Sequence, residues 1–281
     1  MGILGIDLGG TNVRVGLIKD NVLVRVESLP ITKTDSASDV VTDIAKLIER
    51  FSGDEIKGIG IGVPSVVDVE NGIVYDVQNI PSWKEVPLKE LLENKFKVPV
   101  YVNNDANCFA VGEKYFGKGK NYKNIVGLII GTGMGAGIVI NDKLYAGKNC
   151  GAGEFGTIPY KDKTYEYFCS GQFFTAEFNT NGEELFLRAE RDDKEAIQIF
   201  KTYGANLGEA VKLIMYALDP EIIILGGSVS RSFAWFKESM LASLSTFPYA
   251  KSISNLKIEV SEIENVAILG AAALYHNGVV R

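Results

Sequence analysis

The chain has 281 residues, of which 29 are basic and 35 acidic, for a formal net charge of −6. That balance excludes a protein held on nucleic acid by counterion release or on a membrane surface by a polybasic patch, since no run of lysines and arginines approaches one. Hydrophobic residues at 46% and charged ones at 23% exclude global disorder, and the length suggests two domains at roughly 150 residues each.

The amino-terminal residues Gly2 to Leu29 read as three short β-branched strands, GILGID, NVRVGLI and NVLVRVESL, with Asp20-Asn21 turning the last pair. No basic region precedes them, and Ile6 stands where a myristoylation signal would want Ser or Thr. Ser38 opens a predicted helix with Val40, Val41, Ile44, Leu47, Ile48 and Phe51 at helical spacing, and Gly53 stops it. Ile59 to Val63 is a predicted buried strand, Pro87 opens a short helix, Val98 to Val102 is a further strand, and Asn103-Asn104-Asp105 starts a helix through Phe116. Gly117 to Lys123 is the best linker by composition, so a second domain is expected to begin there. Ile125 to Ile140 reads strand, glycine turn, strand, an echo of the opening segment. At 16 uncharged residues it is short of the ~20 that span a bilayer, and no transmembrane segment is expected. Helices over Ser170 to Arg188 and Lys194 to Leu218 follow, then a parallel-type strand, Ile222 to Leu225, ending in Gly226-Gly227. A last helix, Ala267 to His276, is expected to return to the first domain.

Three clusters carry chemistry. In Asp7-Leu8-Gly9-Gly10-Thr11-Asn12 the glycines let backbone N–H groups approach a phosphate, while Asp7 could hold Mg²⁺ through water; an ordinary Gly-Gly hairpin reads the same way. A second glycine loop, Gly131-Thr132-Gly133-Met134-Gly135, shifts the weight toward a clamped nucleotide. It also matches GxGxxA, but a dinucleotide fingerprint must open a helix and the residues from Gly137 continue as strand. Asn103-Asn104-Asp105 is an N-cap in its plain reading; a helix N-terminus also keeps a carboxylate ionised, which makes Asp105 the best general base in the chain. His276 is the single histidine, so a metal cluster or Ser-His-Asp triad has little to draw on. Cys108, Cys150 and Cys169 share no CxxC spacing, which argues against a disulfide framework and for a reducing, cytoplasmic location. Glu154, set in Gly151-Ala152-Gly153-Glu154-Phe155-Gly156-Thr157, and Glu166, set among aromatics, could accept hydrogen bonds from a polyhydroxylated ligand, as could Asn79 beside Trp83. Their plain readings are solvated surface charges and a turn residue before Pro81.

Taken together, GIDLGGT, GVPSVVD, NIPSW, NDAN, GTGMGAG, GAGEFG, ILGGS and the final ILGAA resemble, in order and over nearly the whole chain, the ROK family of sugar kinases. The resemblance implies a two-lobed α/β protein of the actin-like ATPase (ribonuclease H-like) class with its active site in the interdomain cleft, the lobes being residues 1–116 with 266–281, and 117–265. It implies an ATP- and Mg²⁺-dependent hexose kinase acting on a hydroxyl, first of all O6 of glucose, with N-acetylmannosamine, another N-acetylhexosamine or fructose as the alternative. By the same resemblance Asp105 is the base, and Asn79, Asn104, Glu154 and Glu166 hold the sugar. Asp7, Gly9, Gly10, Thr11, Gly131, Thr132, Gly133 and Gly135 serve the phosphates and Mg²⁺, and Gly226-Gly227 the adenosine. A small-molecule sugar is the expected partner, without nucleic acid or membrane, and a homodimer is allowed. Where the family has a histidine this chain has Thr157, and the family's CxCGxxGC zinc motif has no counterpart in Ile158 to Tyr165, so no zinc is expected. Two readings from other classes are a sugar-sensing ROK regulator, weakened by the missing DNA-binding module, and an actin-like filament protein.

Overall fold

The computed structural model of the protein describes residues 1–32, 36–77 and 80–279. The opening meander consists of β1 (Gly2–Leu8), β2 (Asn12–Lys19) and β3 (Val22–Pro30). Asp20 and Asn21 make the second turn with φ of 50° and 62°, a left-handed backbone that short polar side chains tolerate. α1 (Ala37–Glu49) buries Val40, Ile44, Leu47 and Ile48 on one face, and Phe51 joins the same core from the turn beyond its end. β4 (Ile56–Val63) begins three residues before the expected strand. It is followed by three strands too short to show an alternating pattern: β5 (Val66–Asp68), β6 (Ile73–Tyr75) and β7 (Glu85–Val86), joined in a small antiparallel sheet. α2 (Leu88–Phe96), β8 (Val100–Asn104) and α3 (Asp105–Phe116) follow.

β9 (Ile125–Ile130) and β10 (Met134–Ile140) form the expected strand, turn, strand, and β10 pairs with the short β11 (Lys143–Leu144). β12 (Pro159–Tyr160) and β13 (Lys163–Thr164) make a small hairpin. A short α4 (Tyr165–Cys169) comes first, and the helix expected over Ser170 to Arg188 is instead two, α5 (Gly171–Phe178) and α6 (Gly182–Ala189). Extended Ser170 breaks α4 from α5 and caps α5, its hydroxyl accepting from the Gln172 N–H at 3.2 Å. Left-handed Asn179 (φ 50°) ends α5, and Asn181 caps α6 by accepting from the Glu184 N–H at 2.9 Å. α7 (Lys194–Leu218) and β14 (Ile222–Gly226) match expectation. Beyond them α8 (Phe233–Leu244), α9 (Ala250–Asn255) and β15 (Lys257–Val260) were not anticipated, the apolar residues of α8 being spread around the helix rather than gathered in a stripe. α10 (Val266–Val279) closes the chain.

Contacts divide the chain into two units, Met1–Asn121 with Gly137–Ala152 and Ile263–Arg281, and Tyr122–Ala136 with Gly153–Glu262. The sequence partition assigned Gly137–Ala152 to the second lobe; these residues group with the first unit. The physical reason is that Gly137 backs onto α3, where a Cβ would overlap the Ala106 carbonyl.

In the first unit the sheet order is β3-β2-β1-β4-β8, antiparallel across β3-β2-β1 and parallel across β1-β4-β8. α10 lies on this sheet and against α3, as the expected return of the last helix requires. The approach is backbone to backbone: a Cβ at Gly60 would overlap the Ala271 carbonyl, and one at Gly270 the Cys108 carbonyl. In the second unit β14 lies between β9 and β15, parallel to both. Its core is rich in aromatics, with Phe174, Phe200, Tyr203 and Phe236 all fully buried, and the Tyr203 hydroxyl donates to the Cys169 carbonyl at 2.8 Å. Among the described residues no helix is long and apolar enough to cross a membrane.

Candidate active site

The parallel register of the first unit sets its polar residues side by side. Asp7 on β1 pairs with Gly62 on β4, and Gly62 pairs with Asn103 on β8, so the carboxyl ends of three parallel strands carry Asp7 and the Asn103-Asn104-Asp105 turn. That end of such a sheet is where α/β proteins gather ligand-binding groups. Gly62 keeps the space open, since a Cβ there would stand 3.1 Å from the Cys108 sulfur and 3.7 Å from the Asp105 Cα. Asp7 and Asp105 both act on Cys108, whose thiol is pushed well up by burial first and by these two carboxylates after it.

Asn104 caps α3: its Oδ1 accepts from the Ala106 N–H at 2.9 Å, and its Nδ2 donates to the Ser65 carbonyl at 3.2 Å. Asp105, half-buried, accepts from the same N–H at 2.8 Å. Buried Asn103 braces the turn from behind, its Oδ1 accepting from the Asn104 N–H, the Asn107 amide and the Cys150 thiol at 2.9, 2.9 and 3.2 Å. Ser65 was not singled out from sequence, Cys150 was read only as one of three scattered cysteines, and Asn103 only as part of the N-cap cluster; they act through Asn104 and Asp105, and no local pattern marks such a role.

Asp7 carries an ion pair to Arg14 at 3.7 Å, and Arg14 also donates to Asn265 Oδ1. Burial raises the Asp7 pKa, with Arg14 pulling it back. The Gly9 N–H donates to the Asn12 carbonyl at 3.0 Å, closing a tight turn that leaves Gly9 and Gly10 half-buried and Thr11 exposed. Asn79 lies outside the described residues.

The second unit brings together the second glycine loop and Glu166. The Gly131 N–H donates to the Gly133 carbonyl at 3.0 Å, and the Gly171 N–H, at the start of α5, donates to the Gly131 carbonyl at 2.7 Å. Glu166 Oε2 accepts from the Met134 N–H at 2.9 Å and Oε1 from Gln172 Nε2 at 3.0 Å. A Cβ at Gly133 would come 2.7 Å from Oε2, so a side chain there would displace the Glu166 carboxylate from its present position. Beyond Gly135 the chain continues as β10, so the helix that a dinucleotide fingerprint needs is replaced by strand. Glu154 is exposed as a residue, and its carboxyl is raised above the ordinary 4.5 by local desolvation first and by the neighbouring Glu166 second. The Thr157 hydroxyl turns inward to the Glu154 carbonyl at 2.8 Å.

A cavity of about 560 Å³ opens beside this loop, with Gly131, Thr132, Gln172, Asn181, Ser228 and Arg231 in its wall. Gly226 ends β14 and Gly227 leads to Ser228 with φ 85°, a conformation that favours glycine, and a Cβ at Gly227 would also strike the Ile130 carbonyl. The sequence reading missed Gln172 and Asn181, whose only local signal is their position at helix starts.

The hairpin β12–β13, where the family motif would supply thiolates, is held by other means. Tyr160 stacks on Tyr165 with centroids 4.4 Å apart, and Lys161 Nζ lies 4.7 Å from the Phe168 ring centroid while donating to Asn206 Oδ1 at 2.7 Å. A hydroxyl and an ammonium do not make a zinc donor set. Among the described residues no group of three or more His, Cys, Asp or Glu side chains could hold a metal ion.

The ROK family model matches residues 3–278. The chain belongs to the ROK family. The glucokinase of Thermotoga maritima is 28% identical over 305 residues, covering 97% of this chain and 96% of that protein. The xylose repressor of Caldicellulosiruptor bescii is 30% identical over 249 residues, covering 78% of this chain and 62% of that protein. A ROK glucokinase from Streptomyces griseus, solved with glucose and AMPPNP, matches with a TM-score of 0.81 at 23% identity, over 98% of this chain and 99% of that one. The fold is therefore the mixed α/β, actin-like ATPase fold of ROK proteins.

Proposed function

We propose that this ROK protein is an ATP-dependent sugar kinase that transfers the γ-phosphoryl group to a hexose hydroxyl, O6 of glucose being the first choice and an N-acetylhexosamine or fructose the second. The observation that carries the reading is Asp105, set at the first turn of α3 and at the same sheet end as Asp7, with neighbours that brace it and leave it half exposed. The helix N-terminus favours its ionised form, so it can accept the hydroxyl proton as the sugar oxygen attacks phosphorus. The new O–P bond forms as the bond from the γ-phosphorus to the β–γ bridging oxygen breaks; ADP departs, and the proton rests on Asp105. In such a transfer most of the acceleration comes from positioning and charge neutralisation, which suits a site rich in backbone donors. Asn79, Asn104, Glu154 and Glu166 are assigned to the sugar, Gly9, Gly10, Thr11, Gly131, Thr132, Gly133 and Gly135 to the phosphates, and Gly226 and Gly227 to the adenosine. Asp7 fits Mg²⁺, since this ion binds through one or two carboxylates plus substrate phosphates and waters. When bound it would neutralise charge on the phosphates. The similarity to glucokinases supports this reading.

The similarity to a xylose repressor favours a second reading, a sugar-responsive regulator. A coupled ADP-release assay over hexoses, N-acetylhexosamines and xylose separates the two. Sugar-dependent ADP release that Asp105→Asn abolishes supports the kinase; sugar binding without ADP release from the wild type supports the regulator.

A further inference from the structure

We propose that Glu166 and Gln172 couple the sugar site to the nucleotide site, so that a sugar hydroxyl on Glu166 tightens nucleotide binding through the Met134 amide and the Gln172 side chain. The inference rests on the kinase reading above and concerns positioning, not the phosphoryl-transfer step.

A carboxylate offers about four acceptor positions. Two on Glu166 are taken, one by the Met134 N–H at 2.9 Å and one by Gln172 Nε2 at 3.0 Å, and among the described residues the rest are left to hydroxyl donors. Both bonds run toward nucleotide-handling elements. Met134 ends the glycine loop, whose other end, Gly131, is tied by its carbonyl to the first N–H of α5 at 2.7 Å. Gln172 is the next residue of α5 and forms part of the cavity wall with Gly131 and Thr132. Gly133 and Gly171 permit the contact, since a Cβ at Gly133 would stand 2.7 Å from the carboxylate and one at Gly171 3.0 Å from the Gly131 carbonyl.

A hydroxyl seated on Glu166 fixes the rotamer that holds both the loop end and Gln172. The nucleotide then meets a wall already ordered and loses less conformational entropy on binding. The coupling must be reciprocal, nucleotide tightening sugar by the same factor.

The test is calorimetric titration of AMPPNP with and without saturating glucose, or the hexose turned over fastest in the panel. Wild type should bind AMPPNP about tenfold more tightly with sugar present, within the usual range of such couplings. Gln172→Met keeps length and volume but cannot donate; whatever its sugar-free AMPPNP affinity, the ratio of affinities with and without sugar should fall below about twofold. Glu166→Gln sets a donor against one of the two donors and should lower the coupling in the same direction. Undiminished coupling in Gln172→Met, or an equal loss of affinity with and without sugar, would overturn the relay. If no hexose binds the wild type, the kinase reading falls with it; if hexose is bound and phosphorylated while coupling is unchanged, the relay alone fails.

Discussion

Lys161→Met tests how this chain holds the hairpin ahead of Glu166. The ammonium donates to Asn206 Oδ1 at 2.7 Å and lies 4.7 and 5.1 Å from the ring centroids of Phe168 and Tyr160. A hydrogen bond with a charged partner is worth about 1.5–3 kcal/mol and a surface cation–π contact about 0.5–1 kcal/mol. Lys161 is an exposed residue, so solvent screening selects the low end of each, and the methionine stem keeps part of the ring contact. The net loss is about 1–2 kcal/mol. Asn206 adds to it: among the described residues its Nδ2 is already buried without a hydrogen-bond partner, and its Oδ1 would keep only the Tyr160 hydroxyl at 3.3 Å. For a chain of this size the loss corresponds to a Tm lowered by about 2–3 °C. Differential scanning calorimetry at pH 7 reads the shift, and a cycle with Asn206→Leu should return a coupling energy near 1 kcal/mol. An excess of zinc-selective chelator should leave the wild-type Tm unchanged. A Tm within about 1 °C of wild type for Lys161→Met, or a Tm that falls with chelator, would refute the reasoning.

Asp105→Asn should lower kcat by about 10²-fold or more while sugar affinity and Tm stay near wild type, because the amide still accepts the Ala106 N–H but cannot take a proton; stopped-time ADP release and titration of sugar check it. Glu154, whose folded pKa lies above 4.5, costs stability when ionised, so Glu154→Gln should raise Tm at pH 7.5, with the gain vanishing as pH falls below the unfolded-state value. Sugar affinity of the wild type should weaken as pH falls through that raised pKa, a trend absent in the glutamine variant and readable by titration between pH 4 and 7.5. Gly270→Ala drives a methyl into the Cys108 carbonyl and should cost about 1–3 kcal/mol or more, read as a lower urea midpoint, whereas Gly53→Ala, with nothing near its Cβ, should not show a packing penalty.

The sequence alone determined much of the fold, because its longest elements announce themselves by period: α1 and α7 by helical spacing, and β1, β2 and β14 by β-branched runs bounded by turns. It also marked the glycine turns and Asp105, since backbone approach and a carboxylate at a helix start are local chemistry. Tertiary structure decided what depends on residues far apart in the chain. β5, β6 and β7 exist because they pair with one another, not because two or three residues carry a pattern. The break between α4 and α5 at Ser170 sets Gly171 against Gly131, forty positions earlier, and thereby aims Gln172 at Glu166. Glu166 was legible as an acceptor for hydroxyls, but its grip on Met134 was not, because that bond spans 32 positions and leaves no local trace. Lys161 shows the same limit: the missing cysteines could be read directly, while the ammonium packed on two aromatic rings and an asparagine became visible only when α7 folded against the hairpin.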